Sequence, residues 1–120
     1  MTIAPEQLRI APYVGAFWLG MNLTQPPFKG NPALREALSL AVDRDTLTRH
    51  VTGLGEQPAF GIVPTGIPGY TGATTTWATD SQAQREARAR ALYRAAGYSK
   101  ENPLVLELRY NTSTPHRRMA

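Results

Sequence analysis

His50 and His116 are the only imidazoles in the sequence, and there is no cysteine. Nucleophilic hydrolysis needs a serine, threonine or cysteine with a base beside it. No Gly-x-Ser-x-Gly elbow occurs, and the lack of cysteine removes thiol nucleophiles, disulfides and Cys-ligated metal sites together. No pair of carboxylates stands out for glycoside chemistry, and no His-Glu-x-x-His or equivalent spacing offers a metal site. Gly53-Leu54-Gly55 begins like a phosphate-cradling loop but continues as Glu56-Gln57-Pro58, without the Gly-Lys-Ser/Thr or the helix such a loop requires. The residue types therefore predict no catalytic centre, no metal and no cofactor.

Thirteen basic against nine acidic residues give a net charge of +4. A basic balance is a general pointer to nucleic acid or an anionic surface. Here Arg85, Arg88, Arg90 and Arg94 are spread along one helical segment and not gathered into a block, so they read as a solvated face and no nucleic-acid partner is expected. A length of 120 residues suits one domain or part of one, able to bury roughly two-thirds of its unfolded surface. No apolar run reaches the ~18 residues of a membrane span. Met1 to Ile10 lacks the basic-then-apolar pattern of an export signal, which places any such signal outside this sequence. Both ends read as arbitrary boundaries.

Around these residues the pattern predicts helices, extended runs and one long loop. Residues 12–22 read as a strand with Tyr13, Phe17, Leu19 and Met21 on one face and Val14, Ala16, Trp18, Gly20 and Asn22 on the other. Both faces are largely apolar, as in a strand covered on both sides. Gly15 and Gly20 would let a ligand or another backbone come close. Asn31 and Pro32 are a cap and first residue for a helix with Leu34, Leu38, Ala41 and Val42 at helical spacing. Asp43-Arg44-Asp45 reads as a junction, capped by one of its aspartates, into a second helix carrying Leu47 and Val51. Residues 53–76 hold six of the ten glycines and three of the ten prolines, a loop too rich in both for regular structure. Ser81 and Gln84 form a capping box for a third helix. Its predicted apolar stripe is Ala87, Ala91, Leu92 and Ala95, and Gly97 is its left-handed stop. Residues 104–110 alternate, with Leu104, Leu106, Leu108 and Tyr110 opposite Val105, Glu107 and Arg109, and predict a second strand. Asn111 to Pro115 then turns the chain towards His116. On residues alone this is a mixed α/β segment.

Four stretches, in order, resemble the oligopeptide- and dipeptide-binding receptors of ABC importers, solute-binding protein family 5. They are Tyr13 to Asn22 with Pro26-Pro27-Phe28; Asn31 to Arg44, which contains Ala-Leu-Ser-Leu-Ala-Val-Asp-Arg; Gly55 to Gly61 with Val63-Pro64 and Pro68-Gly69-Tyr70; and Ala95-Ala96-Gly97-Tyr98 with Tyr110-Asn111-Thr112-Ser113 and His116. The ordered set covers nearly the whole chain, and Tyr-Asn-Thr-Ser with His116 is most like the oligopeptide receptors.

The resemblance implies a class and an architecture: α/β, a partial lobe of a type II periplasmic-binding-protein-like fold with long Gly/Pro-rich loops. Residues 1–22 would be a hinge-proximal strand segment and 23–120 the start of the C-terminal lobe. It implies a non-enzymatic role in a periplasmic or other extracytoplasmic compartment, capturing short peptides between two lobes for the permease subunits of an importer. Such lobes close as hinged bodies and hold the peptide by strand-like backbone bonds. The positions matching the family's peptide-contacting ones are Trp18, Gly20, Asn22, Asn111 and His116. Where Gly20 stands, some relatives carry an acidic residue. His116 would meet the peptide carboxylate, directly or through water, more strongly when protonated. The acidic group that anchors the peptide amine would lie outside this sequence. Separated from the second lobe, the chain is expected to bind peptide poorly and to self-associate through exposed strand edges. Two alternatives are a receptor of the same fold for another solute and a part of a peptide hydrolase.

Overall fold

The chain nucleates its helices with side-chain caps. In the computed structural model, which describes residues 4–11 and 13–120, Asn31 Oδ1 accepts from the Leu34 N–H at 3.1 Å and Pro32 fills the first turn of α1 (Pro32–Ala41). Asp43 repeats the device. Its Oδ1 accepts from the Thr46 N–H at 3.0 Å and its Oδ2 from the Thr46 hydroxyl at 2.7 Å, opening α2 (Arg44–Thr46). The helix runs on as a π-helical segment, Leu47–Thr52. The capping box at Ser81 forms in both directions: Ser81 Oγ accepts from Gln84 N at 3.2 Å, and Gln84 Oε1 accepts from Ser81 N at 2.8 Å. It starts α3 (Gln82–Ala95), which ends where Gly97 takes φ of 91°. There the Tyr98 N–H reaches back to the Tyr93 carbonyl and Gly97 N–H to that of Arg94, the paired bonds of a Schellman stop. Ser113 caps the short α4 (Thr114–Met119), and α4 rests against the π-helical segment.

α1 packs along α3. Leu34, Ala37 and Leu40 are buried from α1 and Ala89 from α3; Leu40, Ala89 and Trp77 form one cluster, with Phe60 and Leu92 packed against it. This corrects two predicted stripes. On α1 the buried line runs through Leu34, Ala37 and Leu40, while Ala41 is exposed. On α3 it runs through Arg85 and Ala89, leaving Ala87, Ala91 and Ala95 exposed. An Ala- and Arg-rich helix has little apolar asymmetry of its own, so the face it buries is chosen by what it meets. Arg85, expected on a solvated face, is 3% exposed. The face is set by Phe60, whose ring lies 5.2 Å beneath the Arg85 guanidinium. At the rim, Glu36 of α1 pairs with Arg88 of α3.

The Gly/Pro-rich stretch is a clasped excursion. Thr75 N–H donates to the Phe60 carbonyl at 3.1 Å, so residues 61–74 leave and return at one point. Gly61 is required there: a Cβ at 61 would stand 2.5 Å from the Ala73 carbonyl oxygen. Arg44 ties this loop to the helices. Its Nε donates to the Ala59 carbonyl at 2.8 Å and its Nη1 to the Ser39 carbonyl at 2.8 Å, while Nη2 donates to Ser39 Oγ at 3.0 Å.

The α/β class is corrected in one respect: among the described residues there is no strand. Met1–Ile3, and Pro12 at the start of the first predicted strand, lie outside those residues. A strand exists only with a ladder partner. Residues 13–22 bond only locally, Gly15 N–H to the Tyr13 carbonyl at 3.1 Å. The run 104–110 is anchored at one point, Leu104 N–H to the Tyr93 hydroxyl at 2.8 Å. The alternating sequence is real, but among the described residues neither run is paired in a ladder. Tyr13, Phe17, Trp18, Val105 and Tyr110 accordingly remain exposed.

Candidate ligand-binding site

The five positions matched to peptide contacts fall into two groups. Asn111 and His116 belong to the turn and first residues of α4. Asn111 Oδ1 accepts from the Ser113 N–H at 3.2 Å, a side-chain-closed turn. Ser113 Oγ accepts from the His116 N–H at 3.4 Å. The His116 ring bends back so that its Nδ1 lies 2.6 Å from Asn111 Oδ1. Phe17 covers the ring, 5.2 Å between centroids and tilted by 42°. The extended run 13–22 and the start of α4 therefore meet at an aromatic–imidazole contact.

Trp18, Gly20 and Asn22 form the second group. A Cβ at position 20 would come within 2.8 Å of the Trp18 ring, so the bare Gly20 backbone is the surface the indole lies over. Asn22 Oδ1 accepts from the Thr24 N–H at 3.0 Å and from its hydroxyl at 2.7 Å, the same closed turn that Asn111 makes. No hydrogen bond or ring contact among the described residues joins this group to Asn111 and His116. Phe17, of the opposite parity from Trp18, Gly20 and Asn22 in the predicted alternation, is the residue of this run whose ring meets His116. The alternation marked the face that carries Phe17, but with no partner known for it, nothing in the sequence pointed Phe17 at His116.

The His116 Nδ1 faces an amide oxygen and no hydroxyl, and the Ser113 hydroxyl is engaged with backbone. Among the described residues no group of three or more His, Cys, Asp or Glu side chains could hold a metal ion. No helix among them is long and apolar enough to cross a membrane. The shifted ionisations lie elsewhere, at turns and in the core. The Thr46 hydroxyl, then the Thr46 N–H, hold the Asp43 carboxyl below its ordinary range. Glu56 is lowered by its own N–H, the Leu54 N–H and the Thr52 hydroxyl. Arg44 is lowered by burial first and by the neighbouring Arg85 second.

A further cluster that the sequence did not disclose is built on Arg44 and Arg85. Phe60 lies under both guanidinium groups, at 5.4 Å and 5.2 Å, and meets Trp77 edge-on with centroids 6.0 Å apart. Arg85 also donates to the Asp80 carbonyl and, at 2.9 Å, to Gln82 Oε1, while its buried Nε has no partner among the described residues. The Asp43-Arg44 pair is the visible signal: Asp43 caps α2 and Arg44 fastens the loop.

Residues 3–120 match the family described as bacterial extracellular solute-binding proteins, family 5, middle region. The chain is 34% identical to the periplasmic oligopeptide-binding protein OppA of Escherichia coli K12, over 97% of this chain and 21% of OppA. It is 35% identical to the periplasmic murein peptide-binding protein MppA of the same strain, with the same coverage. A third relative at 35% is the probable deoxycholate-binding periplasmic protein YgiS, again from that strain and over 97% and 21% of the two chains. The solved structure of Escherichia coli MppA superposes with a TM-score of 0.76 and 37% identity, covering 82% of this chain and 19% of that one. The chain spans about a fifth of the length of these relatives.

Proposed function

Because the chain belongs to family 5 of the bacterial extracellular solute-binding proteins, we propose that it is one part of a longer receptor that captures short peptides for an ABC importer outside the cytoplasm. The observation that carries this is the likeness to OppA and MppA along 97% of the chain, together with the superposition on MppA. In this reading residues 1–22 lie near the hinge of a type II binding-protein fold and 23–120 begin its C-terminal lobe. The permease subunits are partners of the whole receptor. Trp18, Gly20, Asn22, Asn111 and His116 line the peptide's path. Their aromatic, backbone, amide and imidazole groups suit a ligand read mainly through its backbone.

The unpaired apolar runs, 13–19 and 104–110, support the same picture. They carry strand-like sequence without ladder partners, which the rest of a receptor would supply; lacking those neighbours, they pair with a second copy. Alone, the chain binds peptide weakly, because preorganisation by an opposing lobe is missing.

The experiment is calorimetry on the receptor that contains this chain, titrated with di- to pentapeptides and with their C-terminally amidated forms. Saturable binding of several unrelated sequences supports the reading, and weaker binding of the amidated forms places a carboxylate contact in the site. No binding by any free peptide refutes it. The name of YgiS favours a second reading, a non-peptide solute in the same fold, which the same titration with bile-acid-like amphiphiles addresses.

A further inference from the structure

We propose that Asn111 is a positioning residue for His116: its carboxamide fixes the imidazole as the Nδ1–H tautomer and leaves Nε2 as the nitrogen offered to ligand. What Nε2 meets rests on the peptide-receptor reading; the tautomer rests on geometry alone.

One oxygen atom decides the tautomer. The Ser113 backbone nitrogen can only donate, so the Asn111 atom it meets at 3.2 Å is the carbonyl oxygen and not the amide nitrogen. The same oxygen lies 2.6 Å from His116 Nδ1. A carboxamide oxygen only accepts, so Nδ1 carries the hydrogen. The two lone pairs of Oδ1 are then both used, one by the turn and one by the ring. In the neutral ring Nε2 is left bare, and it has no hydrogen-bond partner among the described residues. Phe17 holds the ring from its side at 5.2 Å. A histidine nitrogen's role is set in this way by the bond its other nitrogen makes.

Neutral His116 accepts at Nε2, so it meets a peptide N–H or a water. A carboxylate meets it through that water, or directly when the ring is protonated and Nε2 also donates. In both states the Nδ1–H···Oδ1 bond is unchanged. Asn111 is thus committed to orienting His116, and only its Nδ2 remains for a ligand.

The test is a long-range proton–nitrogen correlation spectrum of the ligand-free receptor that contains this chain, 15N-labelled at histidine, at a pH where the ring is neutral, with His50 in the same spectrum as an internal reference. His116 is expected to show a protonated Nδ1 and a bare Nε2. Asn111→Asp, which keeps an oxygen acceptor, is expected to keep that pattern. Asn111→Leu, of similar shape with no acceptor, is expected to lose it, with His50 unmoved in both variants. A bare Nδ1 in the unsubstituted chain overturns the proposal, as does an unchanged pattern in Asn111→Leu. If the leucine variant does not fold, the unsubstituted spectrum decides alone. No ligand is present in this experiment, so a receptor that proves not to bind peptide leaves its outcome unaffected.

Discussion

The guanidinium carbon of Arg44 lies 5.1 Å from the centre of the Trp77 ring, across a sequence distance that includes the whole Gly/Pro-rich loop. The contact is flanked by the hydrogen bonds from Arg44 to Ser39 and Ala59. A planar fork lies flat over an aromatic ring while its edge donates in fixed directions to several acceptors, an arrangement that the three donors of a compact ammonium reproduce only in part. Arg44→Lys is therefore expected to destabilise the chain by about 2 kcal/mol, since bonds to charged donors contribute roughly 1.5–3 kcal/mol each and a lysine recovers part of them. Urea unfolding followed by Trp fluorescence measures this. An unchanged midpoint would mean that the clasp does not hold the loop.

Asp43 supplies a pH dependence with a definite sign. Its folded-state pKa is lowered by Thr46. A lowered carboxyl contributes stability that is present above its unfolded pKa and lost as pH falls through the folded one. The start of α2 is thus expected to loosen on the acid side of the ordinary aspartate range, seen as faster amide exchange at Thr46. Asn is also a good cap, so Asp43→Asn should keep α2 and abolish that acid dependence. If the dependence survives in Asp43→Asn, another group is responsible.

At Gly20 the indole of Trp18 occupies the space of the missing side chain, 2.8 Å from where a Cβ would stand. Trp18 is exposed, so the prediction is displacement without unfolding. Gly20→Ala in a Trp77→Phe background should shift the Trp18 emission while leaving far-UV circular dichroism within error. No shift would place the ring elsewhere in solution. Any larger side chain at this position has to displace the same ring.

Most of the helix boundaries were legible because caps are local. Asn31, Ser81 with Gln84, and Gly97 each act on a backbone group within a few residues, and the structure puts each where the sequence does; at the Asp43-Arg44-Asp45 junction, where the sequence left two aspartates open, it chooses Asp43. The buried faces were less legible because they depend on partners. Leu38 and Ala41 fit a helical stripe as well as Ala37 and Leu40 do, until α3 and Trp77 choose between them. Arg85 looked solvated because nothing near it in sequence announces Phe60. The strands show the same limit. Alternation at 104–110 states a preference for a ladder, but a ladder needs a second extended segment, and among the described residues none pairs with it. Of the site, the turn residues could be read individually; the pairing of Asn111 with His116 under Phe17 could not, since it depends on how α4 folds back towards a run nearly a hundred residues away in sequence.

Whether this chain serves a receptor for short peptides is answered by mass spectrometry of the receptor containing it, purified without denaturation and then unfolded to release what it carries. A heterogeneous set of short peptides with no common side-chain sequence is expected, displaced when a free peptide is added before purification. A single non-peptide compound that added peptides do not displace would contradict the peptide-receptor assignment.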